Sequence, residues 1–345
     1  MFGLFMNKPC IFSKGLPYNT SKMSSSKLIV VVGATGNQGS SVVKTFLKLP
    51  GWRVRGVTRD VRSSAARDLS AEGVEMVAAN LDDPSSLLSA FANATVIFGV
   101  TDFWHPFADP ANYAKLAPGQ TINEWCYAYE LQQAKNIFDV ASKISTLERL
   151  IWSSLSSVKK WSKGKYTWVY HFDSKADAAE YGRTAYPDLW KRTSIIQVGF
   201  YLSNFLINAL TQPRRVEAGI YEVTSNAASE TKWPVIATEE DTGPFVKALL
   251  DVPAGKNLIA YRAWMDLDEF TAILSKVTGL RVRYREVTTE EMMAPLPPVV
   301  AREGAETSAY VSEFGYEGRD DETVVHLKDV SCLEANPKSF MKLTR

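Results

Sequence analysis

Three observations predict an α/β fold, a doubly wound parallel sheet of the Rossmann type. The stretch Lys27–Gly39, KLIVVVGATGNQG, runs from an apolar strand through a glycine turn into a helix. It opens four successive strand–helix units followed by a fifth strand, the order that builds a parallel sheet. The first strand is short, apolar and β-branched, and the fourth is a near-continuous apolar run, as strands buried on both faces are.

The first unit carries the most information. Leu28 to Val32 reads as a buried strand, and Gly33, Gly36 and Gly39 follow at G-x-x-G-x-x-G spacing. After Gly39 the period becomes helical, with Val42, Val43, Phe46 and Leu47 on one face. Strand, glycine turn and helix together form the context in which such glycines mark a dinucleotide site. The first glycine permits the turn, the second lets backbone approach a pyrophosphate, and the third lets helix and strand pack closely. The pyrophosphate would then meet free N–H groups at the positive end of the helix.

The second strand, Arg53 to Thr58, ends in Thr58-Arg59. A site for NAD usually has an Asp or Glu at this tip, about 20 residues past the glycines, to hold the ribose 2′-OH. A guanidinium there suits a 2′-phosphate, so Arg59, assisted by Arg62 and Ser63, predicts NADP(H). Asp60 is the awkward neighbour, able to compete for Arg59. Ser64 to Glu72 reads as a helix, Val74 to Ala78 as the third strand, and Asn80-Leu81 at its end would lie beside the adenine. Asp83-Pro84 opens a helix through Phe91. The fourth strand, Thr95 to Val100, ends in Thr101-Asp102-Phe103-Trp104-His105-Pro106, where the carboxyl ends of a doubly wound sheet form the ligand crevice. Residues 107–120 read as loop, Thr121 to Ile144 as a long helix, Arg149 to Ser154 as the fifth strand and Thr193 to Val198 as the sixth.

The bulk composition removes several function classes. The 345 residues carry a formal charge of +1, with no basic excess for nucleic acid. Three cysteines (Cys10, Cys126, Cys332) and three histidines (His105, His171, His326) are scattered, which argues against a disulfide framework and a metal centre. No apolar run approaches the roughly 20 residues that span a bilayer. Residues 1–26 read as a disordered leader, with cytosol the expected compartment and a mitochondrial address the alternative.

Catalytic candidates follow the fifth strand. Ser153-Ser154 ends it, and Tyr170-His171-Phe172-Asp173-Ser174-Lys175 opens the next helix. This order is similar to that of short-chain dehydrogenases, in which a Ser precedes Tyr-x-x-x-Lys; there the Tyr gives the proton, and the Lys lowers its pKa and holds the nicotinamide ribose. Here Lys175 is in place, but His171 stands at the tyrosine position and Tyr170 is one residue out of register.

With those residues in view, the chain resembles the NmrA-like family of atypical short-chain dehydrogenases and, more distantly, the isoflavone reductase-like enzymes. The resemblance rests on Gly33–Gly39, Val57-Thr58-Arg59, Val100–Trp104, His171–Lys175, Glu180-Tyr181, Gly199-Phe200-Tyr201 with Asn204, and Asp241-Thr242-Gly243. It covers the chain from about Lys27 onward. It implies NADP(H) binding, with Gly33, Ala34, Thr35, Gly36, Asn37 and Gln38 on the diphosphate and Arg59 on the 2′-phosphate. It also implies Asn80, Leu81, Thr101 and Asp102 at the adenosine half, and Lys175, Phe200, Tyr201 and Asn204 at the nicotinamide half. Lys135 matches a helix lysine of relatives. In the isoflavone reductase-like enzymes a lysine matching Lys175 is the general base; in NmrA-type regulators the same lysine is present without attributed turnover.

The resemblance also implies a smaller, discontinuous α/β C-terminal domain that forms the substrate pocket. Residues 27–200 would hold the cofactor, joined by a returning helix at about 241–252, with 201–240 and 253–345 making the second domain. Within it, 211–235 read as polar and broken, Lys256 to Arg262 as a strand, Asp266 to Thr278 as a helix and Arg281 to Val287 as a strand. A last helix is expected near Pro337–Leu343. Trp233, Tyr261, Trp264, Tyr310 and Phe314 read as core. Two functions stay open. One is an NADP(H)-dependent oxidoreductase acting on a small carbonyl, imine or enone of specialised metabolism, with Lys175 as base or oxyanion partner and His171 or Ser154 as proton donor. The other is an NADP(H)-sensing regulator with a protein partner, and either could form a homodimer.

Overall fold

The computed structural model describes residues 26–207 and 211–329. The expected leader, apart from Ser26, therefore lies outside the described residues, as do Cys10, Cys332 and the expected last helix. The six expected strands form as β1 (Lys27–Val32), β2 (Trp52–Thr58), β3 (Glu75–Ala78), β4 (Val96–Gly99), β5 (Arg149–Ser154) and β6 (Thr193–Val198). They lie in the order β3-β2-β1-β4-β5-β6, and β11 (Asn257–Ala260) and β14 (Val324–Val325) extend the β6 edge. Every pairing in this eight-stranded sheet is parallel. The strand order reverses between β1 and β4, and a crevice opens there at the carboxyl ends.

The period of β1 assigns the two faces. Leu28, Val30 and Val32 point to one side and pack with Leu87, Ala90 and Phe91 of α3 (Pro84–Phe91). Ala134, Ile137 and Phe138 of α5 (Ile122–Ala141) and Ala178 of α7 (Tyr170–Ala185) complete that core. Ile29 and Val31 point the other way, against Val42, Val43 and Phe46 of α1 (Asn37–Leu47) and Leu69 of α2 (Ser64–Ala71). Phe245, Val246 and Leu249 of α10 (Thr238–Asp251) join them, so the expected returning helix does lie on the sheet. Gly243 makes that docking possible: its N–H donates to Ser41 Oγ at 2.9 Å, and a Cβ there would meet the Ser41 carbonyl oxygen at 2.3 Å. Helix α5 begins with a capping box, Thr121 and Glu124 bonding each other's backbone N–H.

Between β4 and α5 the expected loop contains a short helix, α4 (Trp104–Ala108), and one turn of tighter helix at Pro110–Lys115. Two further short helices, α6 (Val158–Trp161) and α8 (Pro187–Trp190), flank α7.

Beyond β6 the chain builds two small sheets. In one, β10 (Trp233–Ile236) lies between β7 (Phe200–Tyr201) and β12 (Ala263–Met265). In the other, β9 (Ile220–Ser225) lies between β8 (Arg214–Glu217) and β13 (Arg281–Glu286). The helices α9 (Asn204–Ile207), α11 (Leu267–Thr278), α12 (Thr289–Met293) and α13 (Pro298–Phe314) surround them. Trp233 and Tyr310 are core here, with Tyr261, Trp264 and Phe314 packed against it, as expected.

Two expectations are corrected and one helix is added. Residues 211–235, read as broken, contain three strands; β8 escapes notice because all four of its residues are exposed. The strand expected over Lys256–Arg262 stops at Ala260, and the chain crosses to β12 in another sheet. Arg262, at the crossing, is pinned by both oxygens of Asp241, at 2.9 and 2.6 Å. Helix α13 was hidden by Pro295, Pro297 and Pro298, although proline suits the first turn of a helix.

Candidate functional site

The glycine elbow has the expected geometry. Gly33 has φ +63°, the left-handed region that favours glycine. A Cβ on Gly39 would stand 2.1 Å from the Gly33 carbonyl oxygen, so helix and turn are in backbone contact. Ala34 is fully buried, its N–H donating to Val57 O at 3.2 Å, while Gly36 and Asn37 are exposed and Thr35 is half-buried. Helix α1 has neither a side-chain cap nor an acid in its first turn. Its first N–H groups are therefore available to an anion. Thr101, just past β4, has a buried hydroxyl with no partner among the described residues. An uncapped positive helix end, a close glycine turn and an orphaned hydroxyl at the crevice fit a dinucleotide diphosphate.

Gln38 is placed differently from expectation. Its amide bridges Ser153 Oγ and Tyr201 OH, both at 2.7 Å, so its side chain ties α1 to β5 and β7 and only its backbone faces the elbow. Burial pushes the Tyr201 hydroxyl up to about 12, so it stays protonated.

At the tip of β2, Arg59 is exposed and makes no ion pair among the described residues. The feared competition from Asp60 does not arise. Asp60 Oδ1 accepts from the Arg62 backbone N–H at 2.8 Å and its guanidinium at 3.3 Å, which holds the carboxyl below its usual range. Ser63 is occupied as the cap of α2, accepting from Ala66 N at 3.3 Å. Asn80 closes a turn by accepting from Asp82 N, and Leu81 packs against the core below it. Asp102 caps α4, accepting from Trp104 N at 2.9 Å and His105 N at 3.2 Å.

The catalytic candidates meet on α7. His171 and Lys175 are four residues apart and share one face of the helix. Each is held by a carboxylate that is fully buried. Lys175 Nζ pairs with Glu130 of α5, which also accepts from Ser174 Oγ. Oε1 of Glu303 in α13 accepts from the backbone N–H of His171, at 2.9 Å, and lies 2.7 Å from its ring Nδ1. Its other oxygen accepts from Asn123 Nδ2 of α5 at 2.6 Å. Asn123 and Glu130 are seven residues, two turns, apart on the face of α5 that meets α7. Cys126 lies between them, and burial followed by Glu130 and Glu303 pushes its thiol up to about 12. The rings of Trp104 and Phe103 pack on the His171 ring at 5.0 and 6.0 Å, forming an aromatic wall.

Other candidates are not brought to this point. Ser154 is buried, its hydroxyl donating to the carbonyl oxygens of Lys175 and Leu155, so it supports the α7 backbone. Lys135 lies over the Tyr181 ring at 5.2 Å, more than two turns of α7 beyond His171. Phe200 packs its ring on Phe205 and Trp233, and Asn204 opens α9 and accepts from Thr211 through its backbone. Sequence reasoning missed Glu130, Glu303 and Asn123. A charged residue at helical spacing reads as solvent-facing, and only the packing of α5, α7 and α13 reverses that. No His, Cys, Asp or Glu cluster suited to a metal ion occurs among the described residues. None of their helices is long and apolar enough to cross a membrane.

Known proteins are similar to this chain in sequence and in fold. The chain is 27% identical over 329 residues to the NmrA-like family domain-containing oxidoreductase ptmS of Penicillium ochrochloron, covering 89% of this chain and 92% of that one. It is 26% identical to the corresponding oxidoreductase hkm9 of Aspergillus hancockii, over 78% of this chain and 77% of that one. Among solved structures, NmrA, a negative transcriptional regulator in complex with NADP, superposes with a TM-score of 0.65 at 20% identity, over 86% of this chain and 84% of that one. The Citrobacter sp. triphenylmethane reductase superposes with a TM-score of 0.60 at 19% identity, over 84% and 90%. The NmrA-like family model matches residues 25–330, a span that includes every described residue, and the protein belongs to the NmrA-like family.

Proposed function

We propose that this chain is an NADP(H)-dependent oxidoreductase acting on a small carbonyl, imine or enone, of the kind made in specialised metabolism. The observation that carries the reading is the pairing on α7: His171 and Lys175 side by side, each backed by a buried carboxylate, under the aromatic wall of Phe103 and Trp104. The oxidoreductase names of relatives that align over most of both chains support it. So do NADP-bound structures of the same fold.

NADPH, when bound, supplies the hydride. The rest falls to this chain. The Gly33–Gly39 elbow and the start of α1 hold the diphosphate, and Arg59 selects the 2′-phosphate. Lys175, kept in place by Glu130, anchors the nicotinamide ribose and presents positive charge where negative charge grows on the substrate. His171 handles the proton. Phe103 and Trp104 cover the site against water and favour a flat, apolar substrate. Residues 27–200 with the returning helix hold the cofactor, and the β7–α13 segments close the substrate side.

The test is a library of carbonyls, imines and enones with NADPH, following loss of its absorbance, with Lys175→Met as control. Turnover in the wild type and its loss in Lys175→Met is the expected result. A second reading draws on the same ion pair: a lysine already bound to a carboxylate suits cofactor holding without chemistry. NADPH binding with no turnover across the library, together with cofactor-dependent capture of a protein partner, would favour that regulator.

A further inference from the structure

Glu303 comes from α13, 132 residues beyond His171, and its side chain is fully buried. Oε1 takes the backbone N–H and Nδ1 of His171, and Oε2 takes the amide of Asn123. An ionised carboxylate can only accept, so the His171 nitrogen facing it must carry a hydrogen. The other ring nitrogen, Nε2, has no protein partner among the described residues. The ring keeps 17% of its side chain exposed, beside Trp104 and Phe103. The acid–imidazole arrangement that sets a tautomer and aims one nitrogen outward is thus complete within this chain.

We propose that Glu303 is a positioning residue: it fixes His171 with its proton on Nδ1 and leaves Nε2 as the atom that exchanges a proton with the substrate oxygen. The proposal rests on the oxidoreductase reading above. In carbonyl reduction the substrate carbon gains a hydride from the dinucleotide, and the π pair moves to oxygen. Nε2, which takes up a proton from water before the step, gives that proton to the oxygen. The imidazolium becomes a neutral imidazole whose remaining proton stays on Nδ1 against Glu303, and the dinucleotide leaves oxidised. Lys175, engaged by Glu130, supplies charge rather than the proton. The tyrosine role of short-chain dehydrogenases thereby passes to a histidine whose orientation is set from the far end of the chain.

A purely structural Glu303 would only cap the start of α7, so the test reads the ring directly. Nitrogen NMR on histidine-labelled protein, without cofactor or substrate, resolves three histidines, and His171→Asn assigns the signal. At a pH where the ring is neutral, the wild type is expected to carry its one ring proton on Nδ1. Glu303→Gln keeps an acceptor oxygen, since Asn123 can turn its unpartnered Oδ1 toward the new amide, and should keep that tautomer. Glu303→Leu should lose it. A wild-type ring protonated on Nε2, or an unchanged tautomer in Glu303→Leu, overturns the proposal whether or not a substrate is known.

The kinetic arm uses NADPH with phenanthrenequinone and with any substrate from the library. Glu303→Leu should lower kcat by roughly ten- to a hundredfold with the KM for NADPH unchanged. Glu303→Gln should fall between. In a His171→Asn background the Glu303 substitutions should change kcat no further, because the two act as one unit. Losses that multiply in the double variant also overturn the proposal. Absence of turnover with every acceptor would sink the oxidoreductase reading and leave the tautomer result to judge Glu303 alone.

Discussion

The third glycine of the elbow, Gly39, stands so close to the first that a Cβ on it would lie 2.1 Å from the Gly33 carbonyl oxygen. The second glycine, Gly36, is different: its added Cβ would meet the same oxygen at 3.4 Å, an ordinary contact. The two positions therefore separate fold from function. Gly39→Ala gains at most about 1 kcal/mol of helix propensity. Against that it drives a methyl into backbone, a strain of roughly 1–3 kcal/mol or more. Its melting temperature should fall. Gly36→Ala should melt with the wild type yet lose NADPH affinity, because the methyl occupies the space where backbone meets diphosphate. Melting curves and cofactor titrations of both variants check this, and equal behaviour of the two would refute it.

The Lys175–Glu130 pair makes a second, energetic prediction. The lysine side chain is 11% exposed and the glutamate 0%. Removing one partner from such a pair strands a charge away from water, at about 3–5 kcal/mol, whereas replacing both with apolar groups can be neutral or stabilising. Glu130→Leu and Lys175→Met should each lower stability steeply, and the double variant should recover most of the loss while remaining unable to turn over substrate. Denaturant midpoints measure it. Additive losses in the double variant would show that the two side chains are not coupled.

Asp173, between His171 and Lys175 in sequence, gives a pH signature. Only 1% exposed, it has one oxygen on Lys159 N at 3.2 Å and the other without a partner among the described residues. Burial raises its carboxyl from 3.8 to about 6. The folded state thus holds the proton more tightly than the unfolded chain. The resulting stability is full below the unfolded value and is lost as pH rises through about 6. Asp173→Asn removes this dependence. Relative to wild type it should gain stability between pH 4 and 6, by up to about 3 kcal/mol, and the gain should level off above that window. A stability difference that stays flat across the window would show that the carboxyl is not raised.

Much of the sheet was legible because β1, β4, β5 and β6 are almost wholly buried, with β1 and β4 reading as plain apolar runs. The bounds expected for β5 and β6, Arg149–Ser154 and Thr193–Val198, are those observed. The elbow was legible because the left-handed backbone at Gly33 and the backbone contact at Gly39 both call for glycine. The C-terminal part was less so. β8 has no buried residue to betray a period, and three prolines concealed the start of α13. In the site, His171 and Lys175 could be found by spacing, but their partners could not. Glu130 is 45 residues from Lys175 and Glu303 is 132 from His171, and nothing local distinguishes them from surface acids. The side chains of Gln38 and Ser154 spend their polar atoms holding α1, β5, β7 and α7 together.

The account depends most on a phosphorylated dinucleotide lying across the crevice between β1 and β4, with Arg59 on its 2′-phosphate. Calorimetric titration of wild type and Arg59→Ala with NADPH and with NADH tests it directly. The wild type should bind NADPH at micromolar concentration or below, and more tightly than NADH. Losing a charge-assisted bond of about 1.5–3 kcal/mol should weaken NADPH by roughly ten- to a hundredfold in Arg59→Ala and leave NADH unchanged. Failure of both dinucleotides to bind, or an Arg59→Ala variant that keeps the full preference for NADPH, would contradict it.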